Sequence, residues 1–65
     1  MKKPLTLQHF LKLKDIVFSG GEAKLFIQDG KVKVNGEIEK RRGRKIQIGD
    51  VIEVEGKVYK VENDY

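Results

Sequence analysis

Residues 19–36 of the chain read Ser-Gly-Gly-Glu-Ala-Lys-Leu-Phe-Ile-Gln-Asp-Gly-Lys-Val-Lys-Val-Asn-Gly, and this stretch predicts one helix that leads directly into one hairpin. Ser19 and Glu22 have the spacing of a capping box. In that motif, each of the two side chains accepts a hydrogen bond from the backbone amide of the other residue. The helix is therefore expected to begin at Ser19.

Apolar residues recur at helical spacing within this predicted helix. Ala23, Phe26 and Ile27 stand at positions i, i+3 and i+4, which marks the face that should be buried. The helix is expected to end at Gly30, since glycine readily adopts the left-handed conformation that terminates many helices.

The segment that follows Gly30 alternates between lysine and valine. In a strand, this alternation places Val32 and Val34 on a buried face and Lys31 and Lys33 on an exposed face. A surface with two ammonium groups above an apolar core is suited to an anionic ligand.

The hairpin after this strand has two candidate registers. A two-residue turn at 35–36 would pair Val34 with Glu37, whereas a three-residue loop that includes Glu37 would pair Val34 with Ile38. We predict the longer, bulged loop because it places an apolar residue opposite an apolar residue.

A shorter helix is predicted ahead of this segment, from about residue 7 to about residue 14, with Thr6 as its cap. Its buried stripe is formed by four apolar residues: Leu7, Phe10, Leu11 and Leu13. Residues 16–18 are apolar without helical spacing, so we expect a buried connector between the helices. Residues 1–5 should be extended and residues 63–65 should fray.

A second strand pair is predicted in the C-terminal part of the chain. With a turn at residues 56–57, Val54 would pair with Tyr59 and Ile52 with Val61. Four apolar side chains would then share one face of the sheet.

These elements predict a single α+β domain over residues 1–65, with a core of about 5–62, in which two short N-terminal helices pack on a small, mostly antiparallel sheet. A chain of 65 residues has too small a core for a deep enclosed catalytic pocket. It contains no cysteine and one histidine, His9, and no serine or cysteine nucleophile lies near His9 in the sequence. We therefore expect a protein without catalytic activity, metal, cofactor or small-molecule substrate. The apolar segments are too short for a transmembrane helix and no signal peptide is recognised, so we expect a cytoplasmic location and no membrane partner. We also expect a monomer.

Positive charge is concentrated in the middle of the chain. Residues 31–45 contain seven basic and two acidic residues, for a net charge of +5, whereas residues 46–65 contain two basic and five acidic residues. Such asymmetry indicates a polyanionic partner that approaches one side of the protein, although a solvated lysine-rich surface explains it equally well.

The order and spacing of these motifs resemble the S-four-like RNA-binding domain, the alpha-L motif named after a small-subunit ribosomal protein. The resemblance covers about Leu5 to about Val54 and is carried by the helix opening at 19–24, Ile27, Gly30, the run at 32–36 and the Gly49-Asp50 pair before 51–54. The helix opening and residues 39–46 look most like the small stand-alone bacterial members. The resemblance implies structured RNA as the partner, ribosomal or transfer RNA, and a role in ribosome assembly or translation.

One position departs from the family pattern. The family commonly has an arginine directly after the serine, where this chain has Gly20. Gly20 and Gly21 leave bare backbone amides at a helix N-terminus, where a phosphate oxygen could approach closely. A tight turn after Phe18 accounts for the two glycines equally well.

The candidate RNA-binding residues are mainly basic. Charge and backbone recognition are predicted rather than base stacking, because the aromatic residues Phe10, Phe18, Phe26 and Tyr59 fall in core patterns. The phosphate-contacting candidates are Lys24, Lys31, Lys33, Arg41, Arg42, Arg44 and Lys45. Gln28 and Asn35 are candidates for hydrogen bonds to sugars or bases, and Asn35 is explained equally well by its turn.

Two other partner classes remain open at this level. An adaptor that binds an acidic protein would need the same basic surface. Duplex DNA binding is compatible with the charge, although no helix carries the polar residues that read bases in the major groove.

Overall fold

A computed structural model describes residues 5–62 and confirms the α+β class. The predicted lead-in before Leu5 and the predicted fraying of residues 63–65 lie outside the described residues. The elements in chain order are β1 (Leu5–Thr6), α1 (Leu7–Leu13), α2 (Gly20–Gln28), β2 (Val32–Val34), β3 (Glu37–Ile38), β4 (Lys45–Ile46), β5 (Val51–Val54) and β6 (Lys57–Lys60).

Side-chain caps define where both helices begin. The Thr6 hydroxyl accepts from the His9 amide at 3.3 Å, and the Ser19 hydroxyl accepts from the Glu22 amide at 3.1 Å. The second half of the predicted capping box differs, because the Glu22 carboxylate accepts from the amide of Phe18, at 2.8 Å, instead of that of Ser19. The predicted starts of both helices are confirmed.

The main sheet has four antiparallel strands in the order β3-β2-β5-β6, and β1 pairs separately with β4. One core joins the helices to the sheet. Its fully buried larger side chains come from α1, α2, β2, β5 and the segments beside them: Leu7, Phe10, Leu11, Val17, Ile27, Val32, Ile52 and Val61. Helix α2 ends at Gln28 with Asp29 as its C-cap, and Gly30 follows in the left-handed region at a φ of 76°.

The predicted bulged register of the first hairpin is wrong. Lys33 pairs with Ile38 and Val34 with Glu37 across a two-residue turn, in which Asn35 and Gly36 have φ values of 53° and 87°. Two consecutive left-handed residues make the type I′ turn that matches the twist of antiparallel strands. The one-residue difference moves Ile38 to the outer face, where its side chain is 56% exposed.

The second hairpin also differs in register, with a smaller consequence. Ile52 pairs with Tyr59 and Val54 with Lys57, because the turn lies at Glu55 and Gly56 instead of residues 56–57. A shift of two residues preserves which face each side chain occupies. Ile52 and Val54 are accordingly buried, and Tyr59 packs against the core.

Two apolar side chains predicted to be buried are exposed. Phe18 is 85% exposed and Leu13 is 43% exposed, whereas Val17 between them in sequence is fully buried. Phe18 directly precedes the Ser19 cap, and the short connector turns only Val17 into the core. The predicted buried connector is therefore correct at Val17 and wrong at Phe18.

Replacing Ile27 with alanine should lower the free energy of unfolding by about 2–5 kcal/mol, since Ile27 is fully buried and alanine leaves a cavity. Leu25→Ala is a matched control on the exposed side of the same helix and should change stability by no more than about 0.5 kcal/mol. Urea unfolding measures both. Equal effects for the two variants would contradict the assigned buried face of α2.

Replacing Gly36 with alanine should destabilise the domain by about 1–2 kcal/mol, because an L-residue disfavours the left-handed conformation. Gly43→Ala is the control, since neither glycine has a neighbouring atom within 4 Å of an added Cβ and only Gly36 has a positive φ. Thermal unfolding of both variants separates conformational strain from steric contact. An unchanged midpoint for Gly36→Ala would mean that the turn is not type I′.

Candidate nucleic-acid interface

The most basic segment of the chain is residues 39–45, called the basic loop below. It connects β3 to β4 and includes Lys45, the first residue of β4. It contains five basic residues and one acidic residue, Glu39. The side chains of Lys40, Arg42 and Lys45 are exposed. This loop contains four of the seven basic residues predicted to contact phosphate.

Glu39 lies beneath the basic loop and is only 8% exposed. Its amide donates to the carbonyl of Val32 at 3.0 Å, so its side chain lies on the inner face that Val32 shares. Glu39 is therefore shielded from water, although glutamate side chains are usually exposed. The short turn at residues 35–36 is the reason, because it sets the alternation of β3.

Two arginines of the basic loop neutralise this carboxylate. Arg41 donates from Nε and Nη2 to the two Glu39 oxygens at 3.2 and 3.1 Å, and Arg44 donates from Nη1 at 2.8 Å. The Arg41 amide adds a fourth bond at 3.1 Å. Hydrogen bonds from the two guanidinium groups lower the pKa of Glu39 to about 2, against the opposing effect of burial.

The backbone of the basic loop is bonded to the start of α1. The amide of Leu7 donates to the carbonyl of Arg44 at 2.8 Å, and the amide of Gln8 donates to the carbonyl of Arg42 at 3.1 Å. The first amides of a helix have no partner within the helix, so these two carbonyls satisfy groups that would otherwise need water. Pairing of β1 with β4 extends the connection.

The cations of the basic loop therefore fall into two sets. Arg41 and Arg44 are bonded to Glu39, although the Arg41 side chain remains 75% exposed and the Arg44 side chain 34% exposed. Lys40, Arg42 and Lys45 form no ion pair with residues 5–62. The structure thus brings Arg41 and Arg44 together around one anion and leaves Arg42 and Lys45 directed to solvent.

The predicted alternation in β2 is confirmed, since both valines are buried and Lys33 lies on the outer face, but Lys31 and Lys33 differ in their exposure. Lys33 is half-buried in the outer face of the sheet, where Glu53 is its cross-strand partner. Lys31 is exposed, and its Nζ lies 5.2 Å from the centroid of the Phe26 ring, within the range of a cation–π contact. Lys33 thus lies opposite an acidic residue, and Lys31 is the more accessible of the two lysines.

Asn35 has a structural role in the turn. Its side-chain oxygen accepts from the Val51 amide at 2.9 Å, and its side-chain nitrogen donates to Asp50 at 3.2 Å. Its own amide donates to the Val51 carbonyl at 2.7 Å. Both ends of the Asn35 side chain are thus occupied in joining the first hairpin to β5.

The remaining candidates lie along α2. Gly20 and Gly21 are its first two residues, and an added Cβ at Gly20 would meet no atom within 4 Å. Lys24 and Gln28 are exposed and one turn apart on the same helix. They form a second group of candidate polar side chains, separate in sequence from the basic loop.

The candidate set predicted from the sequence did not include Glu39, which the structure places at the centre of the basic loop's hydrogen bonds. The available signal was its position as the single acidic residue within residues 39–45, together with the two-residue turn that directs it inward. Lys40, which is exposed at the start of the basic loop, was also left out of the candidate set.

Other kinds of site receive little support from residues 5–62. His9 is exposed, and no group of three or more histidine, aspartate or glutamate side chains in this range is arranged to hold a metal ion. In the same range, neither helix has the length and apolar character needed to cross a membrane.

Comparison with known proteins gives three concordant similarities. The family model described as the S4 domain matches residues 2–62. The chain is 54% identical over 52 residues to a probable ribosome maturation protein, RlbA, of Bacillus subtilis (strain 168). The alignment covers 80% of this chain and 73% of that protein. The crystal structure of the 30S ribosomal protein S4e from Thermoplasma acidophilum superposes with a TM-score of 0.63 at 31% identity, covering 85% of this chain and 27% of that one.

The ion pairs of Glu39 predict how the stability of the domain changes with pH in the acidic range. Glu39 takes up a proton near its ordinary pKa of 4.5 when unfolded, and at about 2 when folded. Its contribution to stability is therefore fully present above pH 4.5 and is lost as the pH falls toward 2. Urea midpoints measured across this window should fall less steeply for Glu39→Gln than for the wild type. Glu62→Gln, which removes an exposed carboxylate, is the control, and parallel curves for the wild type and Glu39→Gln would contradict the prediction.

Proposed function

We propose that this chain, which belongs to the S4 domain family, is a non-catalytic RNA-binding protein that acts in ribosome maturation or translation. Its ligand is structured RNA, ribosomal or transfer RNA, which it contacts mainly through phosphates. The observation that carries the proposal is the basic loop, whose guanidinium and ammonium groups stand on a backbone bonded to α1.

The relatives support a ribosomal context for this RNA. One is named for ribosome maturation, and the other is a protein of the small ribosomal subunit. Both names concern ribosomes, which favours ribosomal RNA as the first ligand to test. A cytoplasmic location follows from the proposed function.

The chemistry of the surface favours contacts to the RNA backbone over base readout. Arg42 and Lys45 offer exposed cations, and Lys24 and Gln28 offer a cation and an amide on α2. Among the described aromatic residues, Phe18 is the one that is largely exposed. One ring can add a single stacking contact, but it does not form the platform on which successive bases of a single strand stack.

Binding should depend strongly on salt. If about five phosphates are neutralised, log affinity should fall against log salt concentration with a slope of about 3.5–4.5. Filter binding or fluorescence anisotropy with purified bacterial ribosomal RNA over a salt series measures this slope. Transfer RNA, duplex DNA and an acidic polypeptide serve as competitors at one salt concentration.

A charge-matched pair of double variants locates the surface. Arg42→Ala with Lys45→Ala should lower the salt slope by up to about two, because each cation contacts a phosphate. Lys57→Ala with Lys60→Ala removes the same charge from exposed positions of β6 and should have a much smaller effect. Equal losses from the two pairs would exclude the basic loop as the contact surface. Preferential binding of the acidic polypeptide would instead identify an adaptor for an acidic protein.

A further inference from the structure

We propose that Glu39 is a positioning residue for RNA binding, which holds the guanidinium groups of Arg41 and Arg44 against its carboxylate so that Arg42 and Lys45 meet the phosphates. The inference rests on the proposed function and assigns different roles to cations that the sequence presents as equivalent. It also places an acidic residue among the determinants of anion binding.

The Glu39 carboxylate holds both paired arginines, Arg41 and Arg44. Arg41 reaches both oxygens of Glu39 through Nε and Nη2, a bidentate arrangement that fixes the plane of its guanidinium. Arg44 shares one of these oxygens at 2.8 Å. Each guanidinium is engaged by a shielded carboxylate, so a phosphate would have to compete with that carboxylate for the same donors.

The backbone of the basic loop is held on two sides, by Glu39 and by α1. Glu39 fixes the first half of the basic loop from the core side, and the carbonyls of Arg42 and Arg44 are bonded to the first turn of α1. Arg42 therefore projects an exposed side chain from a backbone held on both sides. A surface arranged before binding loses less conformational entropy when the ligand docks.

The negative charge of Glu39 has the same sign as that of an RNA phosphate. A carboxylate close to an RNA phosphate repels it, so removing Glu39 should strengthen attraction to any polyanion if charge alone decides binding. If Glu39 positions the loop, its removal should weaken binding to the RNA that the surface fits. These two expectations have opposite signs, which makes the proposal testable.

The test compares Glu39→Gln with wild type for binding to purified bacterial ribosomal RNA and to heparin, a polyanion without RNA shape. We expect Glu39→Gln to bind ribosomal RNA about three- to tenfold more weakly, and heparin with equal or greater affinity. The readout is the ratio of the two affinities, which a purely electrostatic role would not lower.

Charge-conserving changes inside and outside the basic loop provide a matched control. Arg41→Lys loses the bidentate pairing with Glu39 and should reduce the affinity ratio as Glu39→Gln does. Lys57→Arg keeps the charge at an exposed position of β6, outside the basic loop, and should stay close to wild type. Thermal unfolding of each variant at the binding temperature verifies that the domain is folded, and Arg41→Lys carries the test if Glu39→Gln does not fold.

Each outcome has a defined meaning. Unchanged or tighter ribosomal RNA binding by Glu39→Gln or Arg41→Lys overturns the positioning role. A parallel loss of affinity for ribosomal RNA and heparin also overturns it, because Glu39 would then only stabilise the fold. Failure of the wild type to bind ribosomal RNA refutes the proposed function itself, which separates that failure from failure of the positioning role.

Discussion

The left-handed conformation shared by Asn35 and Gly36 decides how the middle of the molecule is arranged. Two consecutive residues with positive φ close the first hairpin in the fewest residues and fix the alternation of the strand that follows. Glu39 consequently lies on the side of Val32, where water has little access to it. A carboxylate in such a place requires donors, and the chain provides Arg41 two residues later and Arg44 five residues later.

This arrangement explains why a count of basic residues overstates the charge that a ligand meets. Arg41 and Arg44 share one carboxylate, and Lys33 stands across from Glu53 in the sheet. The cations that have no carboxylate partner are fewer than the sequence contains, and the paired ones are more restricted in position. For a surface that must distinguish one folded polyanion from many others, restricted positions contribute more to selectivity than additional charge does.

Much of the fold can be predicted from local signals in the sequence, whereas the candidate site depends on the register of the first hairpin. The caps at Thr6 and Ser19 and the stripe of Ala23 and Ile27 depend on neighbouring residues, and the structure confirms them. Apolar pairing favours the bulged register of the first hairpin, but the turn preference of the asparagine–glycine pair decides the register that forms. The difference of one residue between the two registers decides which face Glu39 occupies.

The error of two residues in the second hairpin left the core assignment intact, since alternation repeats every two residues. Charge patterning could indicate a basic segment, but the pairing of Glu39 with two arginines depends on tertiary geometry. Composition and spacing do not show which members of a basic run are paired with a carboxylate.

The bonds from α1 to the basic loop make these two elements one cooperative unit. If the loop detaches, the amides of Leu7 and Gln8 lose their acceptors, and the first turn of α1 loses the partners that satisfy it. Local opening of the loop therefore carries part of the cost of unwinding a helix whose apolar residues reach the centre of the core. Occupancy of the surface by a ligand and amide protection in the first turn of α1 are thermodynamically linked, so each stabilises the other.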